Sequence, residues 1–373
     1  MMSKKIHILH VTATLDPCGG TPVKLLYQVM NSSSHIKFTV CCILVEGDLA
    51  DKFREVGVEV IELNRQRNFD VRQLTDIMGI VRSRKIDIVH THFARSNIYS
   101  RLAAFLSGKP AIVSEHGIIR NTSFPVVLVD NLFNLFTSHL VANSYATLKS
   151  IQKSVYFNRG NMSVIHNGIP DIKLGEGQIP KEKLRQEYGF KENDFIILNV
   201  GSHIPSRDHM TLIKTTKKVR TLIPNIKVVQ IGDGKDHGSL MGAIKDKGLE
   251  KIFFLWGKTK REDVHKFLPV VDVYVNSAIL EGFGIATVEA MLCERPVICA
   301  NSGSLPELIT HDEDGLLFEV KNANDLSEKI MSLYESKELR ARLGNTAREN
   351  VLKKFSIKQF VESFEEKYLS TCS

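Results

Sequence analysis

No run of about 18 apolar residues occurs in this chain, so no segment has the length and composition of a membrane-spanning helix. The opening Met-Met-Ser-Lys-Lys-Ile-His-Ile-Leu-His-Val is a short basic lead into a strand. Its apolar part is too short and too broken by histidine for a signal peptide. Cysteine is sparse: the six are Cys18, Cys41, Cys42, Cys293, Cys299 and Cys372. None forms a Cys-x-x-Cys pair, and three lie in or beside apolar strand segments. That argues against a zinc site or a disulfide framework and points to a reducing, cytoplasmic compartment. The Gly-x-Gly-x-x-Gly dinucleotide fingerprint is missing, which argues against a dehydrogenase. Basic residues are not interleaved with aromatics, so no nucleic-acid partner is expected. His90-Thr-His92 has no acidic or cysteine partner near it in sequence. These two are expected to be core or supporting histidines, and no metal site is expected.

What is present begins with length. A single hydrophobic core rarely grows past ~250–300 residues, so 373 residues imply two domains. Residues 1–167 carry 19 Lys and Arg against 12 Asp and Glu, while residues 168–373 carry 30 against 30. The whole excess of +7 therefore sits in the first half. Attraction to an anionic membrane face or an anionic acceptor is one reading. A solvated surface without a partner explains the excess equally well.

Short apolar runs alternate with segments of helical spacing. Ile6–Val11, Phe38–Leu44, Val58–Leu63, Ile86–His90, Ala111–Ser114, Leu140–Ala142 and Met162–Ile165 read as buried strands, with helical spacing at Val71–Arg84 and Asn97–Leu106. Such alternation implies a parallel sheet covered on both faces. Val164-Ile-His-Asn-Gly-Ile-Pro170 is strong turn punctuation, and a linker is placed at 168–180. Beyond it Phe195–Val200, Ile226–Ile231, Ile252–Leu255, Val271–Val275, Val297–Ala300 and Gly315–Phe318 repeat the architecture. The domains expected are 1–167, 181–355, and a last helix in 356–373. The segment Phe124–Phe136 is unusually apolar, broken by Asp130, Asn131 and Asn134. A buried helix is the default there. An interfacial helix would need a Lys/Arg-rich polar face, which this segment lacks.

Ligands of parallel sheets bind beyond the carboxyl ends of strands. One such loop stands out: Glu281-Gly-Phe-Gly-Ile-Ala-Thr-Val-Glu289, between an apolar strand and a helix. A helix opened by glycines aims free N–H groups and a positive dipole end at one spot, which suits a phosphate. Glu281 and Glu289 flank that spot, and carboxylates there suit sugar or ribose hydroxyls. Taken alone, two glutamates eight apart fit a bland surface helix.

Together with the preceding strand, Glu-Ala-Met and Pro296-Val-Ile-Cys-Ala300, this stretch resembles the signature of retaining GT-B glycosyltransferases of family 4. The resemblance covers most of the chain. It implies an α/β fold of GT-B architecture: two Rossmann-like domains with parallel sheets facing across a cleft. It also implies closure about 168–180, and a last helix that crosses back to the first domain. The activity implied is transfer of a sugar from a nucleotide-diphosphate sugar, by family habit a UDP-sugar, to a hydroxyl acceptor with retained configuration. That acceptor is expected to be a glycan or lipid-linked, in cell-surface polysaccharide synthesis, at the inner face of the membrane. The nucleotide sugar is a co-substrate, and neither cofactor nor metal is implied.

Residue by residue, the resemblance gives Asp16-Pro-Cys-Gly19-Gly20 as the loop beneath the donor phosphates. His116 becomes a contact to the transferred sugar near the reaction centre. The family usually has Gly-Arg and then a lysine after the strand that ends at Val200. Here Arg207 fills the lysine position and Ser202 replaces the arginine, which removes one diphosphate contact. Gly232 and Gly257 match loops lining the base pocket. Glu281, with the amides of Phe283 and Gly284, would hold the sugar, and Gly282 counts among the donor-binding residues. The amides of Ile285, Ala286 and Thr287, with Arg207, would hold the departing phosphate, and Glu289 the ribose. His116, Glu281 and Arg207 are thus the candidate catalytic residues. A nucleotide-sugar epimerase on the same fold and a catalytically silent sugar-nucleotide binder are the rival readings.

Overall fold

The computed structural model describes residues 5–16, 20–66, 70–92, 94–118, 128, 131–154, 161–172 and 181–372. The chain divides into two compact units, Met1–Pro170 with Phe355–Ser373, and Asp171–Lys354.

Among the described residues the first unit holds seven strands: β1 (Ile6–Thr12), β2 (Ile36–Cys42), β3 (Glu59–Glu62), β4 (Ile88–His92), β5 (Ala111–Glu115), β6 (His139–Ala142) and β7 (Met162–Val164). They pair in the order β3-β2-β1-β4-β5-β6-β7, all parallel. β1 lies buried on both faces, and successive side chains serve opposite cores. Ile8 joins Leu25, Phe38 and Phe53, while Leu9 joins Ile77, Val81 and Ala103.

Between these strands run α1 (Thr21–Asn31), α2 (Ala50–Glu55), α3 (Arg72–Ser83), α4 (Ala94–Leu106) and α5 (Tyr145–Ser154), with a helical stretch at 131–134 as well. β4 starts two residues later than its apolar run suggests. Lys85 is left-handed (φ 52°) and the Ile86 amide donates to Val81 O at 3.0 Å, so Ile86 finishes the turn that stops α3.

Among the described residues the second unit has six parallel strands, β8 (Phe195–Val200), β9 (Ile226–Ile231), β10 (Phe253–Gly257), β11 (Val273–Asn276), β12 (Val297–Ala300) and β13 (Leu316–Phe318). Their order is β10-β9-β8-β11-β12-β13. Its helices are α6 (Lys181–Glu187), α7 (His209–Val219), α8 (His237–Asp246), α9 (Arg261–Phe267), α10 (Ile285–Leu292), α11 (Leu305–Leu308), α12 (Ala323–Glu335) and α13 (Lys337–Lys354).

The last helix, α14 (Ile357–Cys372), belongs to the first unit. Ser356 Oγ accepts from the Gln359 amide at 3.3 Å, an N-terminal cap. Phe360, Phe364 and Tyr368 recur every four residues and enter the core that holds Ile8.

The segment Phe124–Phe136 corrects the buried-helix expectation. Residues 124–127, 129 and 130 lie outside the described residues. In the rest the polarity is inverted: Asn131 and Asn134 are 2% and 3% exposed, whereas Leu128, Leu132 and Leu135 are 48%, 49% and 59% exposed. The asparagines face inward because partners wait there. Arg101 Nη1 donates to Asn134 Oδ1 at 2.7 Å, and Asn131 Nδ2 to Ser154 O at 2.8 Å.

Candidate active site

In each unit strand order reverses once, between β1 and β4 and between β8 and β11. A parallel sheet opens its ligand crevice at such a point. In the second unit the loops leaving β8 and β11 meet there. Pro205–Arg207 forms one 3-10 turn, and its backbone is sewn to the other loop. Ser206 O accepts from the Ile279 amide at 2.9 Å, and Arg207 O from Ser277 Oγ at 3.1 Å.

The tip of α10 follows from Gly284. Its φ of 88° is a conformation that side chains rarely adopt, and an added Cβ would lie 3.2 Å from Leu305 and Leu308. This turn leaves the amides of Gly284, Ile285 and Ala286 without acceptors among the described residues. Thr287 departs from expectation: its amide donates to Gly284 O at 3.0 Å. The helix consumes that donor in its own first turn, so the free row is 284–286. Thr287 contributes its hydroxyl, which accepts from Asn276 Nδ2 at 3.0 Å and ties the end of β11 to the helix.

Two ion pairs flank the tip. Arg207 Nη1 donates to Glu281 Oε2, a nearly buried carboxylate 3.4 Å from Asn276 Nδ2. The cation expected at the phosphate and the acid expected at the sugar are therefore each other's partners. Glu289 is buried on α10. Its Oε1 accepts from Arg261 Nε at 2.5 Å and lies 3.0 Å from His265 Nε2, while Oε2 meets no partner among the described residues. Ser202 is exposed, and its carbonyl accepts from His209 Nε2 at 3.0 Å. Burial lowers the His209 pKa to about 4. Gly232 packs against the same loop so closely that a Cβ would sit 2.0 Å from Gly201 O. Gly257 ends β10, four residues before Arg261.

In the first unit Gly20 is the left-handed N-cap of α1 (φ 68°), and Gly19 lies outside the described residues. A cavity of about 20 Å³, room for one water, is lined by Thr21, Lys24, Gln28, His116, Asn143 and Asn167 among others. Lys24 is buried one turn into α1 and donates from Nζ to Asn167 Oδ1 at 2.6 Å. Thr21 Oγ1, Gln28 Oε1 and Asn143 Oδ1 lack partners among the described residues, so the cavity sets unsatisfied polar atoms in a largely apolar wall. His116 follows β5, and its carbonyl accepts from Asn143 Nδ2 at 3.0 Å. Burial, and then the Lys24 cation, push its pKa well below the usual histidine range.

Two family models match the sequence. The model for glycosyl transferases group 1 covers residues 180–350, and that for glycosyltransferase family 4 covers residues 32–171. An uncharacterized glycosyltransferase of Methanocaldococcus jannaschii is 30% identical over 78% of this chain and 77% of its own. This chain belongs to the family 4 glycosyltransferases. Another relative is the Escherichia coli UDP-Gal:alpha-D-GlcNAc-diphosphoundecaprenol alpha-1,3-galactosyltransferase, 27% identical over 86% of this chain and 85% of that protein. Among solved structures, Anabaena HepE in complex with UDP and glucose superposes with a TM-score of 0.83 at 21% identity, covering 98% of this chain and 100% of that one. The fold of this glycosyltransferase is GT-B.

Two residues, one beside the candidate groups of each unit, escaped sequence reading. Arg261 follows the Trp256-Gly257-Lys258 loop in a basic run, and nothing in that run singles out the partner of Glu289. Lys24 shares a helix face with Leu25 and Gln28, where a lysine reads as an amphipathic stem. Its place one turn after Gly20 was the available signal.

Proposed function

We propose that this glycosyltransferase takes a sugar from a UDP-sugar and delivers it, with retained anomeric configuration, to a lipid-linked or polysaccharide hydroxyl. The observation that carries the proposal is the row of free amides at Gly284, Ile285 and Ala286, at the positive end of α10 and between two arginine–glutamate pairs. As the bond from sugar C1 to the diphosphate breaks, negative charge grows on the phosphate oxygens. The amides and Arg207 stabilise it, in the role a cation fills elsewhere, so no metal ion is required. Glu281 trades part of its bond with Arg207 for sugar hydroxyls as donor enters. Glu289 Oε2 accepts from a ribose hydroxyl. The acceptor oxygen then bonds C1 from the face the phosphate leaves, and a departing phosphate oxygen takes its proton. His116 is assigned the contact to the transferred sugar on the family resemblance.

UDP rather than another nucleotide is supported by the names of relatives: the E. coli enzyme uses UDP-Gal, and HepE was solved with UDP. The same E. coli name supports a diphosphoundecaprenol-linked acceptor. Exposed Leu128, Leu132 and Leu135, with exposed Phe105 and Leu106 in the same net-positive unit, support docking to an anionic membrane surface. Cytoplasmic placement at the inner membrane face follows from that reading.

The test is transfer from a panel of UDP- and GDP-sugars to a diphosphate-lipid-linked sugar in excess chelator, with the new linkage read by NMR. An α-donor giving an α-product in chelator is expected. Loss of activity in chelator, an inverted product, or isomerised donor without transfer contradicts it.

A further inference from the structure

Strand β11 ends on Asn276, a buried asparagine whose amide meets three segments of the second unit. Its Oδ1 accepts from the Ala278 amide at 3.1 Å, in the turn that bends the chain out of the sheet. That bond fixes which way the side-chain amide faces, because the Ala278 N–H needs an oxygen. Nδ2 is therefore turned to the other side. It donates to Thr287 Oγ1 at 3.0 Å, in the first turn of α10, and to Glu281 Oε2 at 3.4 Å. The turn alone needs only the acceptor, which an aspartate supplies equally well. The two N–H groups are what asparagine adds, and each has an acceptor here.

Glu281 is held from several sides. Its carbonyl accepts from the Ser304 amide and from Ser304 Oγ, both at 3.1 Å. Oε2 takes the Asn276 contact and the bond from Arg207 Nη1. Oε1 meets no partner among the described residues, so it is the oxygen open to a sugar hydroxyl. The two donors on Oε2 differ in kind. Arg207 is charged, reaches Glu281 through a long side chain and keeps 28% of that side chain exposed. Asn276 is neutral, 5% exposed and tied at both ends of its amide. Arg207 can swing away. Asn276 cannot, short of breaking the turn and the tie to α10.

We propose that Asn276 is a positioning residue that keeps the Glu281 carboxylate in place while Arg207 exchanges it for the leaving diphosphate. This rests on the reading that Arg207 serves the diphosphate and Glu281 the sugar. Without a second donor, the departure of Arg207 would strip Oε2 of its hydrogen bond in a nearly buried place, and the carboxylate would turn after its cation. With Asn276 present, Oε2 stays bonded and Oε1 stays aimed at the sugar. The same amide holds Thr287, so the acid for the sugar and the helix tip for the phosphate keep a fixed spacing. Asn276 itself touches neither sugar nor phosphate in this assignment.

The test uses the full chain, UDP, and the UDP-sugar that proves active in the donor panel. Asn276→Ala removes the whole amide. Asn276→Asp keeps the shape and the acceptor for Ala278, and its second oxygen accepts from the Thr287 hydroxyl, which both gives and takes hydrogen bonds. Only the contact to Glu281 is reversed, from a donor to a carboxylate facing a carboxylate. Asn276→Ala should lower kcat about tenfold, the low end for a hydrogen bond to a charged group, and weaken UDP binding by less than that. Asn276→Asp should lose at least as much turnover at pH 8. Its kcat relative to wild type should then climb as pH falls toward 6, because two carboxylates this close share a proton and the shared proton restores an O–H donor. Wild-type turnover in Asn276→Asp, or a ratio that does not move with pH, overturns the proposal. If Asn276→Ala does not fold, the aspartate variant decides.

A crystal structure of the wild-type UDP complex separates the proposal from the reading beneath it. Arg207 turned to the diphosphate, with Asn276 Nδ2 still on Glu281 Oε2, is the expected result. A Glu281 that follows Arg207 away from Asn276 overturns the proposal alone. A bound diphosphate with Arg207 still on Glu281 defeats the reading of Arg207 and the proposal with it. Where no UDP-sugar of the panel is turned over, the functional reading fails first and this structure decides the role of Asn276.

Discussion

Replacing Glu289 with alanine removes a carboxylate whose two oxygens have separate duties. Oε1 is committed to Arg261, while Oε2 meets no partner among the described residues and is free for a ribose hydroxyl. The loss on binding is therefore one charge-assisted hydrogen bond, about 1.5–3 kcal/mol. At 1.4 kcal/mol per decade that weakens UDP binding by roughly 10- to 150-fold. Arg261 keeps about a quarter of its side chain in solvent, so its stranded charge is hydrated and the fold should survive. Titration calorimetry with UDP on wild type and variant reads the difference, with a thermal melt to verify folding. Glu289→Gln should fall between the two, since the amide oxygen accepts without the charge. A folded Glu289→Ala protein that binds UDP within twofold of wild type would refute the ribose assignment.

Arg207→Ala should lower turnover by about 10²–10³, the range for a lost charge-stabilising donor, and steady-state kinetics at saturating donor measures it. Leu132→Asp with Leu135→Asp should abolish sedimentation with anionic vesicles and leave turnover on a soluble acceptor unchanged; binding that survives both aspartates refutes the docking face. Stability should fall in acid. His10 (pKa about 3) and His209 (about 4) have folded values below the 6.5 of the free side chain, so the unfolded chain takes up protons that the folded chain refuses. Their contribution is complete above pH 6.5 and is lost as pH falls toward 4, at up to about 1.4 kcal/mol per pH unit for each histidine. Urea denaturation at pH 7.5 and pH 5 checks the sign.

The parallel sheets were legible because strands buried on both faces leave near-continuous apolar runs, as at Ile8–Val11 and Phe195–Val200. The α10 tip was legible because a left-handed turn at Gly284 needs glycine and two acids at that spacing need a reason. Partners were not legible. Nothing in the one-dimensional pattern pairs Arg207 with Glu281 across 74 residues, or Arg261 with Glu289 across 28. The Phe124–Phe136 segment misled because composition records how apolar a helix is, not which side faces out. There Arg101 and Ser154 O draw the asparagines inward and turn the leucines outward. The contacts of His92 with His10 and with His116 escaped notice for a related reason: the three come from two strands and the loop after a third, which only the parallel pairing brings together.

A crystal structure of the UDP complex, grown in chelator, should show diphosphate oxygens within hydrogen-bond reach of the Ile285 and Ala286 amides, with Arg207 turned from Glu281 toward them. A diphosphate seated away from the tip of α10, or a complex that forms only when a divalent ion is restored, would contradict that.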